Sequence, residues 1–167
     1  MYKMKNKNGF TLIELLIVIV IIGILAALIT TNLFGARERA GDNQKKTNLN
    51  QLKIALQLYY TNYRSYPPNG NPLGFSFNAC GEDGISTCSQ STSFTANNVE
   101  YLSKIPRNGN QYAFKYYSCN NGDDFRLKTE LVNASDQDIS ESQLRCPLDS
   151  CGLQITYKPN DYVICGN

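Results

Sequence analysis

Between Gly9 and Thr30 lie twenty residues, Phe10 to Ile29, that are apolar or small except for one carboxylate, Glu14. An ionisable group in so apolar a segment costs on the order of 2.5 kcal/mol or more in a bilayer, so it is expected to have a purpose and a partner. An opposite charge brought into contact stabilises both groups, and a partner on another subunit makes the pair a register device. Thiols form the second set: Cys80, Cys88, Cys119, Cys146, Cys151 and Cys165. An even number beyond an apolar segment points to disulfides in an oxidising compartment. Zinc is disfavoured, because the chain has no histidine and no Cys-x-x-Cys pair. The missing histidine also excludes Ser-His-Asp and Cys-His nucleophile arrangements and a histidine proton shuttle. No phosphate-binding Gly loop, HExxH helix or EF-hand loop occurs. An enzyme is not expected.

These groups need elements to carry them. A helix rises about 1.5 Å per residue, so the apolar stretch is long enough for the roughly 30 Å hydrocarbon core of a bilayer. Lys3, Lys5 and Lys7 precede Gly9, which favours a cytoplasmic amino terminus with the rest of the chain outside. An ordinary signal peptide has a shorter apolar stretch and then a small-residue cleavage site, which does not follow here. Thr30-Thr31-Asn32, Gly35 and Gly41 form helix weakly. The pattern then strengthens: Leu49, Leu52, Leu56, Tyr59 and Tyr63 recur in steps of three and four and line one helix face. Tyr66-Pro67-Pro68-Asn69-Gly70 ends it. The spacing predicts one helix from Phe10 to about Tyr63, its first half in lipid and its second half beneath a globular domain.

From Leu73 to Asn98 the chain is rich in Ser, Thr, Asn and Gly and reads as a long loop holding Cys80 and Cys88. Tyr112, Phe114 and Tyr116 then alternate with Ala113 and Lys115. After the turn Asn120-Asn121-Gly122-Asp123-Asp124, Phe125, Leu127, Thr129 and Leu131 alternate with Arg126, Lys128 and Glu130. Two period-two runs around such a turn predict a β-hairpin. A third strand is expected over Asp161 to Cys165 and a weaker one over Leu153 to Tyr157, making an antiparallel sheet with one face on the helix. Six cysteines allow fifteen connectivities. The expected set is Cys80–Cys88 and Cys146–Cys151 as local loops, with Cys119–Cys165 tying two strands.

The string Gly9-Phe10-Thr11-Leu12-Ile13-Glu14, followed by the apolar run, resembles the amino-terminal signature of type IV pilins and of the pseudopilins of type II secretion. The resemblance implies an α+β, pilin-like fold: a long spine helix, transmembrane in its first half, packed by a small antiparallel sheet and stapled by disulfides. It implies four segments: a removed leader (1–9), the transmembrane half of the spine (10–30), its extracytoplasmic amphipathic half (31–66) and a globular domain (67–167). A prepilin peptidase that is also an N-methyltransferase would cut between Gly9 and Phe10 and methylate Phe10. Glu14 would meet the terminal amine of Phe10 on a neighbouring subunit. Many members carry a helix-breaking proline where this chain has Thr31, so melting between Gly23 and Thr31 stays open. Major pseudopilins often bind calcium, for which Asp123, Asp124 and Asp149 are the acidic spots here. Calcium takes six to eight oxygens, and turn aspartates are the commoner explanation; no cofactor is expected otherwise.

The formal charge is +2, and the three leader lysines account for +3 of it, leaving −1. Residues 64–167 hold eight Lys and Arg against eleven Asp and Glu, or −3, so no basic footprint for nucleic acid is present. The expected function is a structural filament subunit, held in the bacterial cytoplasmic membrane before assembly into an extracytoplasmic filament. Its implied partners are copies of itself, other pilins, an inner-membrane assembly platform and a motor ATPase. The alternatives are a secretion pseudopilin acting as a piston, or a minor pilin for adhesion or DNA uptake. The negative domain disfavours DNA, whereas eleven tyrosines leave adhesion open.

Overall fold

The computed structural model describes residues 9–70, 75–107, 114–148, 151 and 156–166, without the side chains of residues 29–34. The first helix, α1, spans Leu12–Tyr63, 52 residues. A capping box starts it. The Glu14 carboxylate accepts the Thr11 backbone N–H at 2.8 Å and the Thr11 hydroxyl at 2.7 Å, while the Glu14 N–H faces the Thr11 hydroxyl at 3.4 Å. Arg64 ends it in the left-handed region, φ 55°, donating its N–H to the Tyr60 carbonyl at 2.8 Å. The expected spine is therefore one element through Gly35 and Gly41.

The chain divides into two units, Met1–Glu38 and Arg39–Asn167. In the first, the described side chains from Phe10 to Leu28 are all exposed. Among the described residues no helix is long and apolar enough to cross a membrane, and the described side chains of the apolar stretch end at Leu28.

In the second unit the carboxy-terminal part of α1 supplies the core stripe. Leu49, Leu52 and Leu56 are fully buried and Tyr59 nearly so, whereas Tyr63 is 37 % exposed and stacks on Tyr59 with centroids 4.3 Å apart. Among the described residues three small antiparallel sheets pack with this part of α1. β1 (Ser76–Cys80) pairs with β2 (Ser86–Ser89), and β3 (Phe94–Ala96) pairs with β4 (Val99–Leu102). Between β3 and β4, Asn97 and Asn98 both have positive φ (47° and 64°), as a tight two-residue hairpin turn requires. The third sheet has the order β5 (Phe114–Cys119), β6 (Asp124–Glu130), β7 (Asp161–Cys165). The β5–β6 hairpin turns through three consecutive left-handed residues, Asn120, Asn121 and Gly122. Asn tolerates that conformation better than most residues, and a Cβ at Gly122 would collide with the Ser65 side chain. α2 (Gln137–Arg145), capped by Asp136, covers the free edge of β7, where the Val163 N–H donates to the Ser142 hydroxyl at 3.1 Å. Phe77, Phe94, Phe114, Tyr116, Phe125 and Leu127 close the core against the α1 stripe.

Five expectations change, the last in part. The loop expected over 73–98 contains β1, β2 and β3 (residues 73 and 74 lie outside the described residues). The overlooked signal is Phe75, Phe77 and Ala79 alternating with Ser76 and Asn78, all three buried. α2 was not anticipated, because Ile139 and Leu144 alone give no helical stripe. β6 is buried on both faces: Arg126 and Lys128, expected toward solvent, are 3 % and 9 % exposed. The disulfides are Cys80–Cys88, Cys119–Cys151 and Cys146–Cys165, so the expected Cys146–Cys151 and Cys119–Cys165 do not form. Cys146 caps α2, which lies on β7, and this brings it to Cys165; Cys119 at the end of β5 is left facing Cys151. Of the weaker expected strand, Leu153 to Ile155 lie outside the described residues, and Thr156 and Tyr157 are in no strand. Tyr112, Ala113 and the leader lysines also lie outside them.

Candidate functional site

The amino-terminal helix presents side chains that this chain does not use for its own core. Phe10 is 83 % exposed and Leu12 90 %, and the apolar residues that follow remain exposed through Leu28. Contiguous apolar surface on this scale marks contact with another macromolecule or a membrane. Within it stands Glu14. Its Oε2 accepts both Thr11 donors, and Oε1 accepts no bond among the described residues. The capping box therefore fixes the carboxylate at the helix start with one oxygen open to a further donor. Cβ atoms built at Gly9 and Gly23 would meet nothing within 4 Å. Internal packing gives no reason for glycine at either position, although glycine inside a helix costs about 1 kcal/mol relative to alanine.

The domain holds several buried or half-buried ion pairs. The Asp42 carboxylate, on α1, accepts the N–H of Val132 at 2.9 and 3.0 Å and that of Asn133 at 2.8 Å, with the Lys45 ammonium at 3.1 Å. Burial works against its charge, but these donors outweigh burial and hold its carboxyl below the usual range. Lys46 reaches Asp136, the cap of α2, and Asp138 in its first turn, both at 2.7 Å. Burial works against the ammonium, and the two carboxylates overcome that and raise its pKa. On the outer face of β6, Arg126 pairs with Asp124 and donates to the Pro147 carbonyl from Nε and from Nη2, at 3.3 and 3.0 Å. Lys128 bonds Asp161 at 2.6 Å and the Thr156 carbonyl at 3.0 Å. The two cations thus tie Pro147, Thr156 and Asp161 to β6.

Among the described residues no group of three or more His, Cys, Asp or Glu could hold a metal ion. Of the acidic spots, Asp124 is committed to Arg126 and to the N–H groups of Phe125 and Gly166, at 2.7 and 3.0 Å. Asp149 lies outside the described residues. Asp124 therefore does not fit as a calcium ligand without losing its own partners. A cleft of about 780 Å³ lies between Ser65–Asn69 and the Asn120–Gly122 turn, and among the described residues no carboxylate, Lys or Arg lines it.

Sequence comparison returns to the amino terminus. The prokaryotic N-terminal methylation motif matches residues 4–30. The type II secretion system core protein G of Vibrio cholerae is 40 % identical over 73 residues, covering 44 % of this chain and 50 % of that protein. The type IV wide pilus major component PilA4 of Thermus thermophilus is 48 % identical over 66 residues, 40 % and 50 % of the two chains. The type IV major pilin protein PilA of Myxococcus xanthus is 41 % identical over 71 residues, 42 % and 32 % of the two chains. The matched stretches span about half the length of the first two relatives. No solved structure matches the chain.

Proposed function

We propose, on the support that the methylation motif and these relatives give to the type IV pilin and pseudopilin family, that this chain is a structural subunit of a type IV pilus-like filament. The observation that carries the reading is the exposed apolar stretch from Phe10 to Leu28, with Glu14 as its single charge. In this reading residues 10–30 anchor the subunit in the cytoplasmic membrane with its amino terminus inside. A prepilin peptidase cuts after Gly9 and methylates the amine of Phe10. That amine then approaches the open oxygen of Glu14 on a neighbouring copy, while apolar side chains move from lipid into a bundle of helices. Transfer between two apolar surroundings supplies little net hydrophobic energy, so helix packing and the ion pair favour the filament. A motor ATPase and a membrane platform drive extrusion. The chain itself does no catalysis.

Two substitutions test the roles. Glu14→Ala should still be processed and inserted but assemble poorly; an unchanged filament yield would remove the pairing role. Replacing Gly9 with a bulky residue should leave the leader attached, because the folded chain has room for the side chain and only the peptidase would reject it. Trimming at the normal site in that variant would place the cut elsewhere.

The secretion reading has its own support in the relatives named type II secretion system core protein G. There the same helix builds a short piston within the envelope. Intact-mass measurement of filaments sheared from cells separates the two. A surface fraction dominated by a chain starting at methylated Phe10 makes this a major pilin. Processed chain confined to the envelope makes it a pseudopilin or a minor pilin.

A further inference from the structure

Cys119–Cys151 and Cys146–Cys165 cross in the sequence, each bond enclosing one cysteine of the other. Cys80–Cys88 alone joins neighbours in chain order. On the membrane orientation proposed above, on which this inference rests, the cysteines reach the oxidising side in the order 80, 88, 119, 146, 151, 165. A dithiol oxidase joining thiols as they emerge would make Cys80–Cys88, then Cys119–Cys146, then Cys151–Cys165. The first bond is native and the other two are not.

Chain entropy does not correct the error, because closure cost grows only with the logarithm of loop length. Cys119 lies 27 residues from Cys146 (146 less 119) and 32 from its native partner Cys151. Cys165 lies 14 residues from Cys151 (165 less 151) and 19 from its native partner Cys146. In both cases the native loop is the longer one. Selection must come from folded structure, and that arrives late: Cys146 needs α2 formed on β7, and β7 carries the last cysteine. Once correctly paired, all four are buried, so the native bonds are shielded from further exchange.

We infer that maturation of this chain requires a thiol–disulfide isomerase in addition to a dithiol oxidase. The oxidase accepts two electrons and two protons per bond formed. The correction itself involves no net oxidation. An isomerase thiolate attacks Cys119 of the Cys119–Cys146 bond, forming a mixed disulfide and freeing Cys146 as a thiolate. Cys146 attacks Cys165 of the Cys151–Cys165 bond, making Cys146–Cys165 and freeing Cys151. Cys151 attacks Cys119 of the mixed disulfide, making Cys119–Cys151 and returning the isomerase thiolate.

The test uses the full chain in cells that contain the oxidase, with and without the isomerase. Free thiols are blocked by alkylation, and the bonds are mapped by mass spectrometry after digestion with trypsin and an aspartate-directed protease. Cuts at Asp83, Arg107, Asp123, Asp149 and Asp161, among others, place all six cysteines in separate peptides. Without the isomerase the natively paired fraction should fall at least fivefold, and a Cys119–Cys146 peptide should appear. The variant Cys146→Ser/Cys165→Ser, whose remaining cysteines pair in chain order, should lose that dependence. Cys80→Ser/Cys88→Ser should keep it. Native pairing at undiminished yield and rate without the isomerase overturns the inference, as does equal dependence in Cys146→Ser/Cys165→Ser. Cysteines found fully reduced in both strains would instead overturn the membrane orientation, and the inference with it.

Discussion

The segment leaving β6 hangs on α1 through the carboxylate of Asp42, which is acceptor to the backbone of Val132 and Asn133. Asp42→Asn keeps the shape and removes the charge, and hydrogen bonds to charged groups contribute about 1.5–3 kcal/mol. The variant should therefore lose about 2 kcal/mol in urea unfolding at pH 7. The pH dependence has a defined sign. A carboxyl lowered in the folded state stabilises the fold above its unfolded value, near pH 4, and loses that contribution as the pH falls through the lowered value. The gap between wild type and variant should thus be full at pH 7 and narrow below pH 4; a gap independent of pH would refute this role. Arg126 has the opposite character, a buried cation whose removal leaves the Asp124 carboxylate buried without its counter-charge, held only by the N–H groups of Phe125 and Gly166. Arg126→Met alone should cost about 3–5 kcal/mol, and adding Asp124→Asn should recover part of that loss. A double-mutant cycle measures the recovery, and strict additivity would show that the two side chains are not coupled.

At the scale of elements, the β1–β2 hairpin decides whether residues 76–89 act as loop or core. Phe77 is fully buried among Phe75, Phe94 and Tyr116, so Phe77→Ala should cost about 3–5 kcal/mol. A loss below 1 kcal/mol, measured by thermal or denaturant unfolding, would return the segment to a loop. The parts legible in the sequence were those with long or strict periodicity. The leucine stripe and Tyr59 located α1, and the alternation around Asn120-Asn121-Gly122 located β5 and β6. β1 was missed because its alternating partners are Ser and Asn inside a Ser- and Thr-rich stretch, which hides a period of two. α2 was missed because it buries only Ile139 and Ser142 and owes its place to the Asp136 cap and the Lys46 bridges. Arg126 and Lys128 followed the alternation, yet they are buried by partners distant in sequence, Pro147, Thr156 and Asp161, which a period of two does not reveal. Pairing by nearness in sequence could not find the two crossed disulfides. At the amino terminus the sequence shows the apolar run and its lone Glu14 without any tertiary placement, and the structure adds the Thr11–Glu14 capping box.

Over the whole chain, all six cysteines are bonded, and the bonded partners lie 8, 32 and 19 positions apart in sequence. In the chain-entropy account, replacing each pair with alanine should cost about 2.5 kcal/mol for Cys80–Cys88, about 3 for Cys146–Cys165 and about 3.5 for Cys119–Cys151. Guanidinium midpoints rank the three, and a reversed order would sink that account in favour of local packing. The crossing also sets how far the molecule can be drawn out under load. Pulled from its two ends, the 46 peptide steps from Cys119 to Cys165 (165 less 119) reduce to two sulfur bridges and the five steps from Cys146 to Cys151 (151 less 146), so 41 steps (46 less 5) carry no tension. The Cys80–Cys88 bond hides eight more. At about 3.3–3.6 Å per extended residue, less the width of the bridges, roughly 150 Å of contour is withheld until the bonds are reduced. A single-molecule stretching trace should lengthen by that amount when reductant is added. A fibre built from such subunits would meet a tug with a short, stiff stop in its carboxy-terminal third, and any give would have to come from the chain before Cys119.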